Sequence, residues 1–238
     1  MTRGRAAICC LCILAAGCAP RIARRPPAPL PSTTAIVAAL ARREQATRGL
    51  RLSLTVRISG GEQGTLLPAP AYLAVDDAGD IRLQVLSPFG MTVLDLAIHG
   101  DAYVLTLPLR GQKVDGTIDP RVLADPTVPV ADRMVVALAL MFRPKATAET
   151  CIEIAPATVG CRVAGALTAQ VTVDDGLRPT REAYVRDDGV PLLVATYDDY
   201  RDDTPTAVAG TLVIADPASD ARMSIRVQRV RTADERRT

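Results

Sequence analysis

Leu50, Leu52, Leu54, Val56 and Ile58 alternate with Arg51, Ser53, Thr55, Arg57 and Ser59. A period of two predicts a strand with one buried and one wet face. Less regular alternation predicts strands at about 71–75, 81–86, 93–99 and 102–107, and, after a central break, at 151–155, 161–173, 180–186, 191–200, 207–215 and 222–230. Turn chemistry separates them. Asp76-Asp77-Ala78-Gly79, Ser87-Pro88-Phe89-Gly90, His99-Gly100-Asp101, Asp174-Asp175-Gly176 and Asp187-Asp188-Gly189 supply residues that tolerate the positive φ of tight turns. Gaps this short make the strands antiparallel neighbours.

Two segments follow a helical period instead. Ser32 or Thr33 can cap a helix running through Thr47, with Ile36, Val37 and Leu40 in one apolar stripe, Ala41 at its margin, and Arg42, Arg43 and Glu44 in water; Gly49 ends it. Between Pro129 and Pro144, the run from Met134 to Phe142 is apolar on nearly every face, and Asp132 could cap it. A short helix without a polar side must be enclosed, so this segment reads as a plug or lid inside a curved sheet, with a buried strand as the alternative. Met134, Leu138, Met141 and Phe142 are its candidate cavity residues. The two methionines are core in the simpler reading and adaptable lining of a lipid cavity in the sharper one.

The N-terminus follows neither period. Arg3 and Arg5 precede the uncharged stretch from Ala6 to Ala16, which ends in Leu14-Ala15-Ala16-Gly17-Cys18. This is the layout of an export signal, and it is too short to span a bilayer, which takes about 20 apolar residues. It resembles the lipobox of bacterial lipoproteins, with Leu14 one place early; an ordinary signal peptide with an incidental cysteine is the alternative. The resemblance implies that Cys18 becomes the acylated first residue. Ala19 stands where an Asp would favour inner-membrane retention, so outer-membrane placement facing the periplasm is expected. The Pro- and Arg-rich segment 19–31 then reads as an extended tether, which at ~3.1 Å per residue reaches roughly 40 Å. Residues 32–230 form the expected domain, followed by a polar tail at 231–238.

Composition narrows the functions. The chain has 28 Lys and Arg against 26 Asp and Glu; the expected signal removes two arginines, leaving 26 of each. No basic excess remains for nucleic acid. Hydrophobic residues make up 48% but aromatics only 3%, with no Trp and only Phe89 and Phe142 as phenylalanines, so the core must be aliphatic. Of six cysteines, Cys9, Cys10 and Cys12 fall in the signal and Cys18 is the anchor. Cys151 and Cys161, ten residues apart around an expected turn in an oxidising compartment, are expected to form a disulfide.

Catalytic signals are poor, and the chain is expected not to be an enzyme. His99 is the only histidine and sits in an expected turn, and there is no phosphate loop, nucleophile elbow or His-based metal spacing. Asp198, Asp199, Asp202 and Asp203 could bind calcium but lack the EF-hand glycine and spacing; a solvated strand end is the plainer reading. No cofactor beyond the lipid on Cys18, and no metal, is expected.

The order of features is more informative than any single motif. A lipobox, a Pro-rich spacer, a helix, an alternating strand, the phrase from Ile81 to Met91 (IRLQVLSPFGM), a Pro-flanked apolar helix and a second strand set resemble the LolB family of outer-membrane lipoprotein receptors, within the LolA/LolB superfamily. The likeness covers about residues 33–230 and is closest to uncharacterised LolB-like lipoproteins. It implies a mainly β (α+β) fold: an antiparallel half-barrel of ten to eleven strands around a short apolar helix, with an N-terminal helix. It also implies a monomeric carrier that accepts acyl chains or lipidated proteins from a periplasmic chaperone and helps insert them in the outer membrane. The turn Pro88-Phe89-Gly90, with Met91, would be the membrane-insertion tip; Phe89 either projects from it or folds back onto the sheet. Two departures bear on cargo: LolB cavities are rich in aromatics, and the Cys151/Cys161 pair is not part of the general pattern. A structural accessory lipoprotein, with its cavity filled by its own side chains, is the alternative function.

Overall fold

The computed structural model describes residues 30–60, 67–142, 150–165, 167–201 and 208–232. The expected signal, Cys18, most of the tether and the last six residues lie outside them. One antiparallel sheet of thirteen strands forms an open half-barrel. The first meander comprises β1 (Arg51–Ser59), β2 (Ala69–Val75), β3 (Ile81–Leu86), β4 (Thr92–His99), β5 (Ala102–Leu107) and β6 (Gln112–Thr117). The second comprises β7 (Cys151–Ala155), β8 (Thr158–Ala164), β9 (Leu167–Val173), β10 (Pro179–Arg186), β11 (Pro191–Arg201), β12 (Val208–Asp216) and β13 (Ala221–Arg231). β1 pairs with β13 and joins the meanders in the middle, so β6 and β7 are the two edges.

Thirteen strands replace the ten to eleven expected, for two local reasons. Gly165, at φ +54°, turns the segment expected as one strand at 161–173 into the separate β8 and β9. The edge strand β6 has nothing buried, so no apolar alternation marks it in the sequence.

Period-two alternation places the core. Leu52, Leu54 and Val56 of β1 are buried, and their counterparts Leu73, Leu83, Leu96, Tyr103, Leu193, Ile214 and Ile225 line the same concave face. On that face lies helix α2 (Val130–Met141), which with the short 3-10 turn at Pro120–Ala124 carries the chain from the β6 edge towards the β7 edge. Helix α1 (Thr33–Thr47) starts as expected, with Ser32 Oγ accepting from the Ala35 amide at 3.2 Å. Its Ile36 and Val37 make a second, smaller core with Val159, Val171 and Val173 and with Cys151 and Cys161. Those cysteines stand opposite each other in register and are joined by a disulfide, tying the edge strand β7 to β8. Gly60, at φ +78°, closes β1 against the β12–β13 turn; a Cβ there would stand 1.9 Å from the Asp220 carbonyl oxygen.

Candidate functional site

The interior of the half-barrel is occupied by α2. Every residue from Arg133 to Leu140 is buried, and the walls around them are Leu, Val, Ile and Ala with Tyr103 and Tyr184. Met134 and Leu138 are 6% and 1% exposed and belong to this packed interior. Met141 and Phe142, at the helix end, are only partly buried.

Asp132 does not cap the helix. Pro129 occupies the N-cap position with no side-chain cap, and the Asp132 carboxylate accepts instead from the Tyr103 hydroxyl of β5 at 3.0 Å. Burial, then the Asp132 carboxylate, pushes the Tyr103 hydroxyl up to about 12. The next residue makes a stronger tie. Arg133 donates to Asp216 at the end of β12 across 2.5 Å, with both side chains buried, and the other Asp216 oxygen accepts the amides of Ala218 and Ser219. The first turn of α2 is thus pinned to both meanders.

At the other end of α2 the contacts are softer. Tyr197 Oη lies 2.9 Å from both Met141 Sδ and Glu182 Oε2, and the carboxylate is the better acceptor of the one proton. Met141, Phe142, Tyr197 and Glu182, with Leu40 and Arg43 of α1, border a cleft of 60 Å³ between the helices. That is room for about two waters and far below the ~300–1,000 Å³ of ligand pockets. Arg43 and Glu44, expected in water, are half-buried here. The Arg43 guanidinium lies 5.2 Å and 5.3 Å from the ring centres of Tyr197 and Tyr200 and donates to Tyr200 Oη at 2.6 Å. Burial pushes the Tyr197 and Tyr184 hydroxyls well up, with the nearby Glu182 carboxylate adding to it. Sequence reasoning missed Glu182, buried at 2% exposure, because it reads as a wet residue of an alternating strand.

The β3–β4 turn resolves the two readings of Phe89. The Ser87 carbonyl accepts the Gly90 amide at 2.9 Å, and Ser87 Oγ accepts the Met91 amide at 3.2 Å. In this turn Pro88 is exposed, Met91 is 52% exposed and Phe89 is 88% exposed. Phe89 projects and does not fold back. It stands apart from the α1–α2 cleft, whose lining comes from α1, the end of α2 and the second meander.

The remaining candidates are placed elsewhere. His99 ends β4, largely exposed, with Nδ1 2.9 Å from Asp80 Oδ2, beside an open groove of 250 Å³ on the convex face. Asp199 accepts from Thr211 Oγ1 at 3.1 Å and Asp198 from the Asp199 amide at 2.8 Å; Asp202 and Asp203 lie outside the described residues. Among the described residues, no group of three or more His, Cys, Asp or Glu is placed to hold a metal, and no helix is long and apolar enough to cross a membrane.

No family model matches the sequence, and neither does any curated protein. Solved structures do match its architecture. A domain described as an outer membrane lipoprotein-sorting protein from Vibrio parahaemolyticus aligns at TM-score 0.55 and 12% identity, over 83% of this chain and 91% of that one. A LolA superfamily protein from Nitrosomonas europaea aligns at 0.52 and 9%, over 86% and 94%. The fold of this chain is shared with these two proteins. A DUF1329 family protein from Desulfovibrio piger shares it, at 0.56 and 10% over 84% and 92%. At 9–12% identity the likeness concerns the fold alone.

Proposed function

We propose that this protein is an outer-membrane lipoprotein, anchored through Cys18 and facing the periplasm, that takes the acyl chain of a lipid or lipidated protein into its half-barrel and helps insert it in the outer membrane, in the manner of LolB. The observation that carries the reading is the uneven attachment of α2. Its first turn is held by the Tyr103 and Asp216 contacts, whereas its last residues, Met141 and Phe142, are partly buried beside a cleft. The helix can therefore swing from its first turn, exposing an aliphatic wall for an acyl chain. Such a wall solvates acyl chains without aromatic residues, because the gain scales with buried apolar area at ~25 cal/mol per Å². Phe89 and Met91 are then the tip that meets the bilayer, the cargo arrives from a periplasmic carrier, and the protein acts as a monomeric carrier without catalysis, metal or cofactor other than its own lipid.

A second reading is a structural accessory lipoprotein of an envelope complex, and the packed α2 interior with its 60 Å³ cleft favours it. Native mass spectrometry of the full chain separates the two. Co-purified or added acyl ligands retained at one per protein support the carrier; a chain that stays ligand-free at saturating lipid contradicts it.

A further inference from the structure

Because all thirteen strands are antiparallel neighbours, the turns alternate between two rims of the half-barrel. The β1–β2, β3–β4, β5–β6, β10–β11 and β12–β13 connections share one rim; the β2–β3, β4–β5, β7–β8 and β9–β10 turns share the other. Among the described residues, the large apolar side chains exposed in strand connections all fall on the first rim: Leu67 (84%), Phe89 (88%), Met91 (52%), Leu109 (63%) and Val190 (44%). They come from four separate connections: β1–β2, β3–β4 and β5–β6 on one side of the central β1–β13 pair and β10–β11 on the other. The opposite rim instead carries Asp76, Asp77, Asp80, Asp101, Asp174 and Asp175 in its turns, beside Arg48, Arg51, Arg178, Arg201 and Arg231, so its described turns are charged where the first rim's are apolar. On the apolar rim the acids Asp187, Asp188 and Asp220 are matched by Arg110, Arg186 and Arg222, and Arg186 pairs with Asp188 at 2.8 Å.

We infer that the whole rim formed by these four connections, and not the Phe89 turn alone, is a membrane-docking surface that seats the half-barrel end-on in the headgroup region of a bilayer. The distribution of apolar tips gives the orientation. Apolar side chains at loop tips lose their hydration cost when they enter an interface, whereas the charged turns of the opposite rim would lose hydration there without that gain. Single apolar residues on separate tips suit a soft interface that admits each one, where a protein partner would need a continuous complementary patch. End-on seating also aligns the strands across the interface, so the concave wall would open towards the acyl region. This orientation deepens the carrier reading and rests on it for its purpose.

The chain contains no tryptophan, so a single introduced one reports its own depth. Phe89→Trp, Leu109→Trp and Val190→Trp on the first rim, and Ala78→Trp on the other, are made in the full chain and mixed with phosphatidylethanolamine/phosphatidylglycerol vesicles carrying brominated acyl chains. The three rim variants should shift to the blue and lose emission by quenching, while Ala78→Trp does neither. Quenching at Phe89→Trp alone would overturn the rim and leave a single tip; quenching at Ala78→Trp, or at none, would overturn the orientation. Acyl binding in the interior is read separately by mass spectrometry, so failure of the docking surface and failure of the carrier are told apart.

Discussion

The two helices lie on the same concave face and are built on opposite plans. α1 is amphipathic: Ser32 caps it, one stripe of Ile36 and Val37 packs on the second meander, and Ala38, Ala41 and Arg42 are exposed. α2 has no side-chain cap and no wet side, and the bonds of Asp132 and Arg133, consecutive residues in its first turn, tie it to β5 and β12. A helix like α1 is stable as part of the wall because its exposed face is already solvated. A helix like α2 is stable only inside something; its first turn is tied to both meanders while Met141 and Phe142 are half-buried, and in the proposed carrier it is the plug that hinges.

This contrast predicts a graded response to mutation. The largest effect should come from Asp216→Ala, which leaves the Arg133 guanidinium buried without its partner; loss of about 3–5 kcal/mol is expected in urea unfolding, and a loss under 1 kcal/mol would show that the pair does not pin α2. Tyr103→Phe removes a bond to a carboxylate and should cost about 1.5–3 kcal/mol. It has a pH signature as well. The Tyr103 hydroxyl is raised in the folded state to about 12, so its contribution is fully present below its unfolded value near 10 and disappears as the pH rises through 12; in the Phe variant that part of the alkaline loss should be missing from pH titrations of stability. The smallest effect belongs to α1. Ser32→Ala should cost only about 1 kcal/mol and leave acyl binding unchanged, and a Ser32→Ala variant that changed ligand retention would erase the distinction between wall and plug.

Much of this was legible from residue patterns. β1 follows its alternation residue by residue, α1 begins at its Ser cap, and the apolar run near Leu138 is enclosed, because burial on one face or on all faces leaves a period in the sequence. The missing parts leave none. β6 is an edge with no buried side, so its residues QKVDGT read as loop. The Arg133–Asp216 pair joins residues 83 apart, and neither is distinguishable in sequence from a surface charge. Glu182 and Arg43 likewise look solvated and are instead drawn into the tyrosines around the α1–α2 cleft. The exposure of Phe89 depends on how the Ser87–Gly90 turn is aimed, and both outcomes fit the same four residues.

Hydrogen exchange of the α2 amides, followed as a saturated fatty acid is titrated into the full chain, tests the hinged plug most directly. The account predicts that residues 136–142 lose protection as ligand binds while the strands β1 and β13 keep theirs. Binding that leaves those amides as protected as before would place the ligand elsewhere and contradict it.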